Sequence, residues 1–117
     1  MTDPVKLNYV EFPTADLTAT KAFFASAFGW QFQDYGAEYT AFTGQGLDGG
    51  FYKSATRPSN DGALLVFYSS KLEHTLEKVK AAGGKIVRPI FAFPGGRRFH
   101  FEEPGGNELA VWSGIEP

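Results

Sequence analysis

The chain contains no cysteine. That excludes disulfides, thiolate metal sites and cysteine nucleophiles, and it permits a cytoplasmic setting. Histidine is nearly as scarce, with His74 and His100 the only two in 117 residues. Excess positive charge is also missing: the formal charge is −2 and no Lys/Arg run exceeds two residues, so nothing suggests a nucleic-acid surface. No stretch is long and apolar enough to span a bilayer, and the opening MTDPVKLNYV lacks the apolar core of a signal peptide. Neither a Ser-His-Asp order nor a Walker pattern occurs, which disfavours nucleophilic and phosphoryl-transfer enzymes.

What the chain does have is a repeat. YVEFPTADLTATKAFFASAFGW from Tyr9 is matched by LLVFYSSKLEHTLEKVKAAGGK from Leu64, at a constant offset of 55 residues. Phe12 falls on Phe67, Leu17 on Leu72, Thr20 on Thr75 and Gly29 on Gly84. A unit this short cannot bury its own apolar face, so the copies must pack on each other as one domain over residues 1–117, with a pocket between related halves. Module one runs from about 5 to 55, a polar linker from Thr56 to Gly62, and module two from about 63 to 114.

Each copy reads β-α-β-β-β. In the first, Leu7–Phe12 alternates as a strand that Pro13 and Thr14 stop. Leu17, Lys21, Phe24 and Phe28 recur at helical spacing over Asp16–Phe28, with Asp16 as N-cap and Gly29 as C-cap glycine. Strands follow at Gln31–Tyr35, Glu38–Thr43 and Gly50–Lys53. In the second, Leu64–Tyr68 is a strand, Ser70 and Glu73 suit a capping box, and Leu72, Leu76 and Val79 form the buried stripe of a helix ended by Ala82-Gly83-Gly84. Strands at Lys85–Phe91, Arg98–Glu103 and Glu108–Trp112 complete it, the last two joined by the turn Pro104-Gly105-Gly106-Asn107.

Three segments carry a family resemblance. ADLTATKAFFASAFGW resembles the first-module signature of the vicinal oxygen chelate superfamily, the group of glyoxalases, bleomycin-resistance proteins and extradiol dioxygenases. LEHTLEKVKAAGGKIVRP and FHFEEPGGNELAVW resemble its second-module helix and closing hairpin. The resemblance implies an α+β fold of two tandem βαβββ modules forming an open, barrel-like sheet around a central pocket, usually in a homodimer. Many members hold a divalent metal on the first and last strands of each module. Carried onto this chain, the ligand positions fall on Tyr9, Leu64 and Ala110, with the fourth on Gly50–Lys53, which has no Asp, Glu or His. Such ions need three or four converging N or O donors. The inherited metal site is therefore expected to be absent, and no cofactor is implied.

The remaining candidates are organic in character. Glu11 is charged within an apolar strand and shares a face with Tyr9; it is either a general base or a paired structural carboxylate. His100 alternates with Phe99 and Phe101 and so shares a face with Arg98 and Glu102. Glu108, Ala110 and Trp112 share a face in the closing strand. With Tyr9, Phe42 and Tyr52, Trp112 would hold an aromatic or planar guest. His74 lies off the helix stripe and is read as solvated. Gly44-Gln45-Gly46-Leu47-Asp48-Gly49 has GxGxxG spacing but leads into a strand, which rules out a dinucleotide loop. FPGGRRF at 93–99 reads as a rim loop whose Arg97 and Arg98 could clamp an anion. The reading is thus a metal-free binder of a small, planar organic molecule. The alternative is a lyase, isomerase or dioxygenase-type enzyme using Glu11 and His100 for acid–base chemistry, or a relocated metal site.

Overall fold

The computed structural model describes residues 6–59 and 62–114; Asn60 and Asp61 of the expected linker lie outside them. The elements run β1 (Tyr9–Thr14), α1 (Leu17–Phe28), β2 (Gln33–Asp34), β3 (Tyr39–Phe42), β4 (Asp48–Lys53), β5 (Val66–Tyr68), α2 (Leu72–Ala81), β6 (Lys85–Phe93), β7 (Gly96–Glu102) and β8 (Glu108–Gly114). The α+β class and the doubled β-α-β-β-β order are as the sequence implies. Two four-stranded sheets form, ordered β1-β4-β3-β2 and β5-β8-β7-β6, and neither closes into a barrel. In each, the first strand of the module pairs in parallel with the last, Phe12 with Phe51 and Phe67 with Val111.

Several boundaries depart from expectation for local reasons. Pro13 does not stop β1, which continues to Thr14. The strand is at a sheet edge, where a missing N–H breaks no ladder. Asp16 does cap α1, accepting from the Ala19 N–H at 3.0 Å, and Gly29 closes it at φ 72°. Its buried face is Thr20, Phe23, Phe24 and Ala27, turned from the expected stripe because Lys21 reaches out to Asp34 at 2.8 Å. The Ser70/Glu73 capping box does not form. Lys71 holds the N-cap position of α2 without a side-chain bond, Ser69 Oγ takes the Lys71 N–H at 3.1 Å, and Glu73 pairs with Arg97. The 93–99 segment is no loop: only Pro94 and Gly95 turn, Gly95 at φ 112°, and Arg97 and Arg98 belong to β7.

Alternation along the strands places Phe12, Phe42 and Phe51 of the first sheet, and Phe99, Phe101 and Val111 of the second, toward the helices. There they join Phe23, Phe24, Trp30, Leu72 and Val79 in a single core shared by both modules. Phe24 stacks on Trp30 at 4.8 Å and on Phe51 at 5.2 Å, while Phe23 meets Phe101 of the other module at 5.6 Å. Losing one such ring costs about 3–5 kcal/mol. This core fixes which residues remain on the opposite face of each sheet, away from the helices.

Candidate functional site

On the second sheet, that opposite face is continuous across all four strands. β7 and β8 pair Arg98 with Trp112, His100 with Ala110 and Glu102 with Glu108, so all six share it. Trp112 meets Tyr68 edge-on at 5.1 Å and Phe93 at 6.2 Å. The Arg98 guanidinium lies 5.4 Å from the Phe91 ring centre and 5.7 Å from that of Phe93, and Arg88 sits 4.1 Å from Phe91. Cations over aromatic faces are held by the ring quadrupole, each contact contributing about 0.5–1 kcal/mol. The result is an aromatic surface with two fixed positive charges.

His100 is 5% exposed, and its Nδ1 lies 3.0 Å from Glu108 Oε2. A carboxylate accepts only, so the neutral ring carries its proton on Nδ1 and leaves Nε2 bare. That Nε2 is buried without a partner among the described residues, as is Arg98 Nε. Buried polar atoms are nearly always bonded, and an orphan calls for an unseen partner.

The first sheet's opposite face is different in kind. Tyr39 Oη donates to Glu11 Oε2 at 2.9 Å and is 2.6 Å from Tyr9 Oη. With the Tyr39 proton committed to Glu11, Tyr9 is the donor of the second bond. A Cβ at Gly50 would stand 2.2 Å from Tyr39 Oη, so only glycine leaves room for this side chain to cross the sheet. Burial, and then the bonds to Tyr9 and Glu11, hold the Tyr39 hydroxyl's pKa far above its ordinary value. Tyr39 thus stays a neutral donor through the neutral range.

The sequence-derived candidates are therefore divided. Arg98, His100 and Trp112 come together on the second sheet; Tyr9, Glu11 and Tyr52 lie on the first, where Tyr52 pairs with Tyr39. No hydrogen bond joins Glu11 to His100: each has its own partner, and Glu11 is exposed rather than enclosed. Phe42 sits one residue off this face. It packs in the core, 3% exposed and 4.6 Å from Trp30, beside an apolar cavity of about 520 Å³. His74 is exposed. The turn at 43–47 leads straight into β4 with no helix for a nucleotide to cap.

The sequence reading missed Tyr39 and the part played by Glu108, Tyr68, Phe91 and Phe93. Alternation already puts Glu108 on the face of Ala110 and Trp112, but its bond to His100, like the role of Tyr39, depends on cross-strand register. The donor set does not fit the metal many relatives hold. Leu64 and Ala110 have no donor atoms and Tyr9 is engaged with Tyr39. Among the described residues no three His, Asp or Glu side chains are grouped to hold an ion.

Residues 6–111 match the family described as the Glyoxalase/Bleomycin resistance protein/Dioxygenase superfamily. No curated protein matches the sequence. A glyoxalase/bleomycin resistance protein/dioxygenase family enzyme from Burkholderia phytofirmans PsJN has a similar structure, with TM-score 0.81 at 17% identity over 95% of this chain and 100% of that one. A glyoxalase-related enzyme from Fulvimarina pelagi gives 0.78 at 22% identity, over 92% of this chain and 87% of that one. A mutant of the fosfomycin resistance protein FosX from Listeria monocytogenes, in complex with Mn(II) and 1S,2S-dihydroxypropylphosphonic acid, gives 0.78 at 18% identity, over 98% and 93%. At these identities the likeness is one of fold.

Proposed function

The chain belongs to the glyoxalase/bleomycin resistance protein/dioxygenase superfamily, and on that premise we propose that it binds a small, planar organic anion without a protein-held metal. The observation that carries this is the second sheet's surface: Trp112 flanked by Tyr68 and Phe93, with Arg98 over Phe91 and Phe93. Aromatic walls supply apolar contact with little entropy to lose, and a fixed guanidinium supplies orientation. The unbonded Arg98 Nε and His100 Nε2 offer a ligand one donor and one acceptor. The described helices include none long and apolar enough to cross a membrane. A homodimer suits the exposed Leu7, Leu64 and Val66 near the first strand of each module, and light scattering on the purified protein tests it.

Thermal shift against aromatic and aliphatic carboxylates tests the binding reading. Aromatic acids should raise the melting temperature and aliphatic acids of equal charge should not. Equal effects, or none from any aromatic acid, would count against it.

The bare His100 Nε2 favours one second reading, acid–base catalysis on the same face. Oriented by Glu108, the imidazole would take a proton from carbon next to a carbonyl while Arg98 stabilises the charge left behind. Glu11 has no part in it, being committed to Tyr39 on the other sheet. Deuterium exchange at that carbon in a bound ketone, lost in His100→Asn, would establish it; no exchange with any bound ketone leaves binding as the function.

A further inference from the structure

The two joints between the modules are closed differently. At the first, the turn 103–107 lies on the start of α1. The Glu103 carboxylate, 1% exposed, accepts from Thr20 Oγ1 at 2.7 Å, and Thr20 is bonded to Thr14 Oγ1 at 2.7 Å. Backbone N–H groups of Gly105 and Asn107 and the Asn107 amide complete its shell. Turn and hydroxyls touch directly: a Cβ on Gly105 would stand 1.8 Å from Thr14 Oγ1 and 2.1 Å from Thr20 Oγ1.

The 55-residue offset carries Thr14 and Thr20 onto Ser69 and Thr75. This pair repeats the geometry. Ser69 Oγ and Thr75 Oγ1 are 2.7 Å apart, and Ser69 takes the N–H two residues on at 3.1 Å, as Thr14 does. The turn that should close the second joint, 43–47, stands off instead: Gly44 and Gly46 have nothing within 4 Å of a Cβ position. No carboxylate among the described residues bonds Thr75. Where Glu103 and its turn would be, there is a cavity of about 430 Å³ lined by Thr75, Lys78, Gln45, Phe28, Trp30 and Phe67, among others. Lys78 has no ion-pair partner among the described residues.

We infer that this cavity is a second binding site, taking a small monocarboxylate with an aromatic body. Its carboxylate stands where Glu103 stands at the other joint. With the Ser69 proton given to Thr75, the Thr75 proton is free for the ligand, as that of Thr20 is for Glu103. Lys78 supplies the charge that a charge-assisted bond needs. Phe28, Trp30 and Phe67 enclose the ring. The site shares Tyr68 with the surface proposed above but includes none of His100, Arg98 or Trp112, so the two meet at one ring and differ in every polar group.

The test is a two-dimensional NMR titration of the ¹⁵N-labelled chain with phenylacetate, with phenylacetamide as the neutral control. Saturable shifts are expected at the Trp30 indole and the Thr75 and Lys78 amides. Phenylacetamide, and phenylacetate with Thr75→Val or Lys78→Met, should each bind about tenfold more weakly, one lost charged or polar contact. Lys78 is exposed, so its variant keeps the fold whatever Thr75→Val does. Equal affinity for acid and amide, an unaffected Lys78→Met, or shifts confined to the Trp112 indole would overturn the inference. The last of these would leave the function proposed for the second sheet standing.

Discussion

The two sheets share a backbone plan and little else. Glu11 pairs with Gly50, and Val66, its counterpart 55 residues on, pairs with Ala110. That equivalence extends outward: Tyr52 corresponds to Trp112, Asp48 to Glu108, Tyr39 to Arg98 and Ala41 to His100. The first module uses its free face for a Tyr-Tyr-Glu chain that satisfies itself. The second carries an imidazole, two guanidinium groups and four aromatic rings, with two buried nitrogens left over. Duplication kept what the core requires, alternating Phe and Val toward the helices. It left the opposite face free to diverge, and only one half kept unspent bonding capacity there.

The sharpest way to probe that asymmetry is at the joints. Glu103→Ala strands Thr20, Gly105 and Asn107 donors in the interior, and unfolding by urea should show a loss of about 3 kcal/mol or more. Gly105→Ala, which drives a methyl into two hydroxyls, should be comparably severe. Gly44→Ala, whose added methyl would meet nothing within 4 Å, should cost only about 1 kcal/mol for its positive φ of 78°. Similar losses at both turns would dissolve the distinction between the joints.

Ligand binding gives the next effect. Trp112→Ala should weaken binding of a planar aromatic acid about tenfold or more, as removing a central aromatic anchor does. Tyr52→Ala, its counterpart on the first sheet, should leave affinity unchanged in the same calorimetric titration.

Smaller effects separate the two clusters by pH and by tautomer. The folded chain holds the Tyr39 proton more tightly than the unfolded one, above the ordinary 10.0. Its contribution is intact below pH 10.0 and is lost as pH rises beyond that value. Tyr39→Phe should therefore flatten the alkaline fall in stability measured by urea unfolding. For His100, long-range ¹⁵N spectra of the neutral ring should show the proton on Nδ1, and Glu108→Gln should shift the tautomer balance. A ring already protonated on Nε2 would remove the bare nitrogen on which the catalytic reading rests.

Much of the fold was readable because the repeat is dense with periodic apolar residues, and Asp16 and Gly29 cap α1 where their types suggest. The misplaced features share one cause, long-range contact. Pro13 stays in β1 because the strand is an edge; Glu73 leaves its capping role because Arg97, on a distant strand, takes its carboxylate. The candidate site's geometry was half legible. Arg98, His100 and Trp112 shared a face by alternation within two strands, and Glu11 looked like their partner only because register between sheets is invisible in one sequence. Phe42 failed by one position, the smallest error alternation allows and one that reverses the face.

The central claim, that the second sheet's free face holds the ligand, is tested most directly by NMR titration with 1-naphthoate. Saturable shifts of the Trp112 indole and the His100 ring, with Tyr39 and Tyr52 unmoved, are the predicted result. Shifts on the first sheet with Trp112 silent would contradict it.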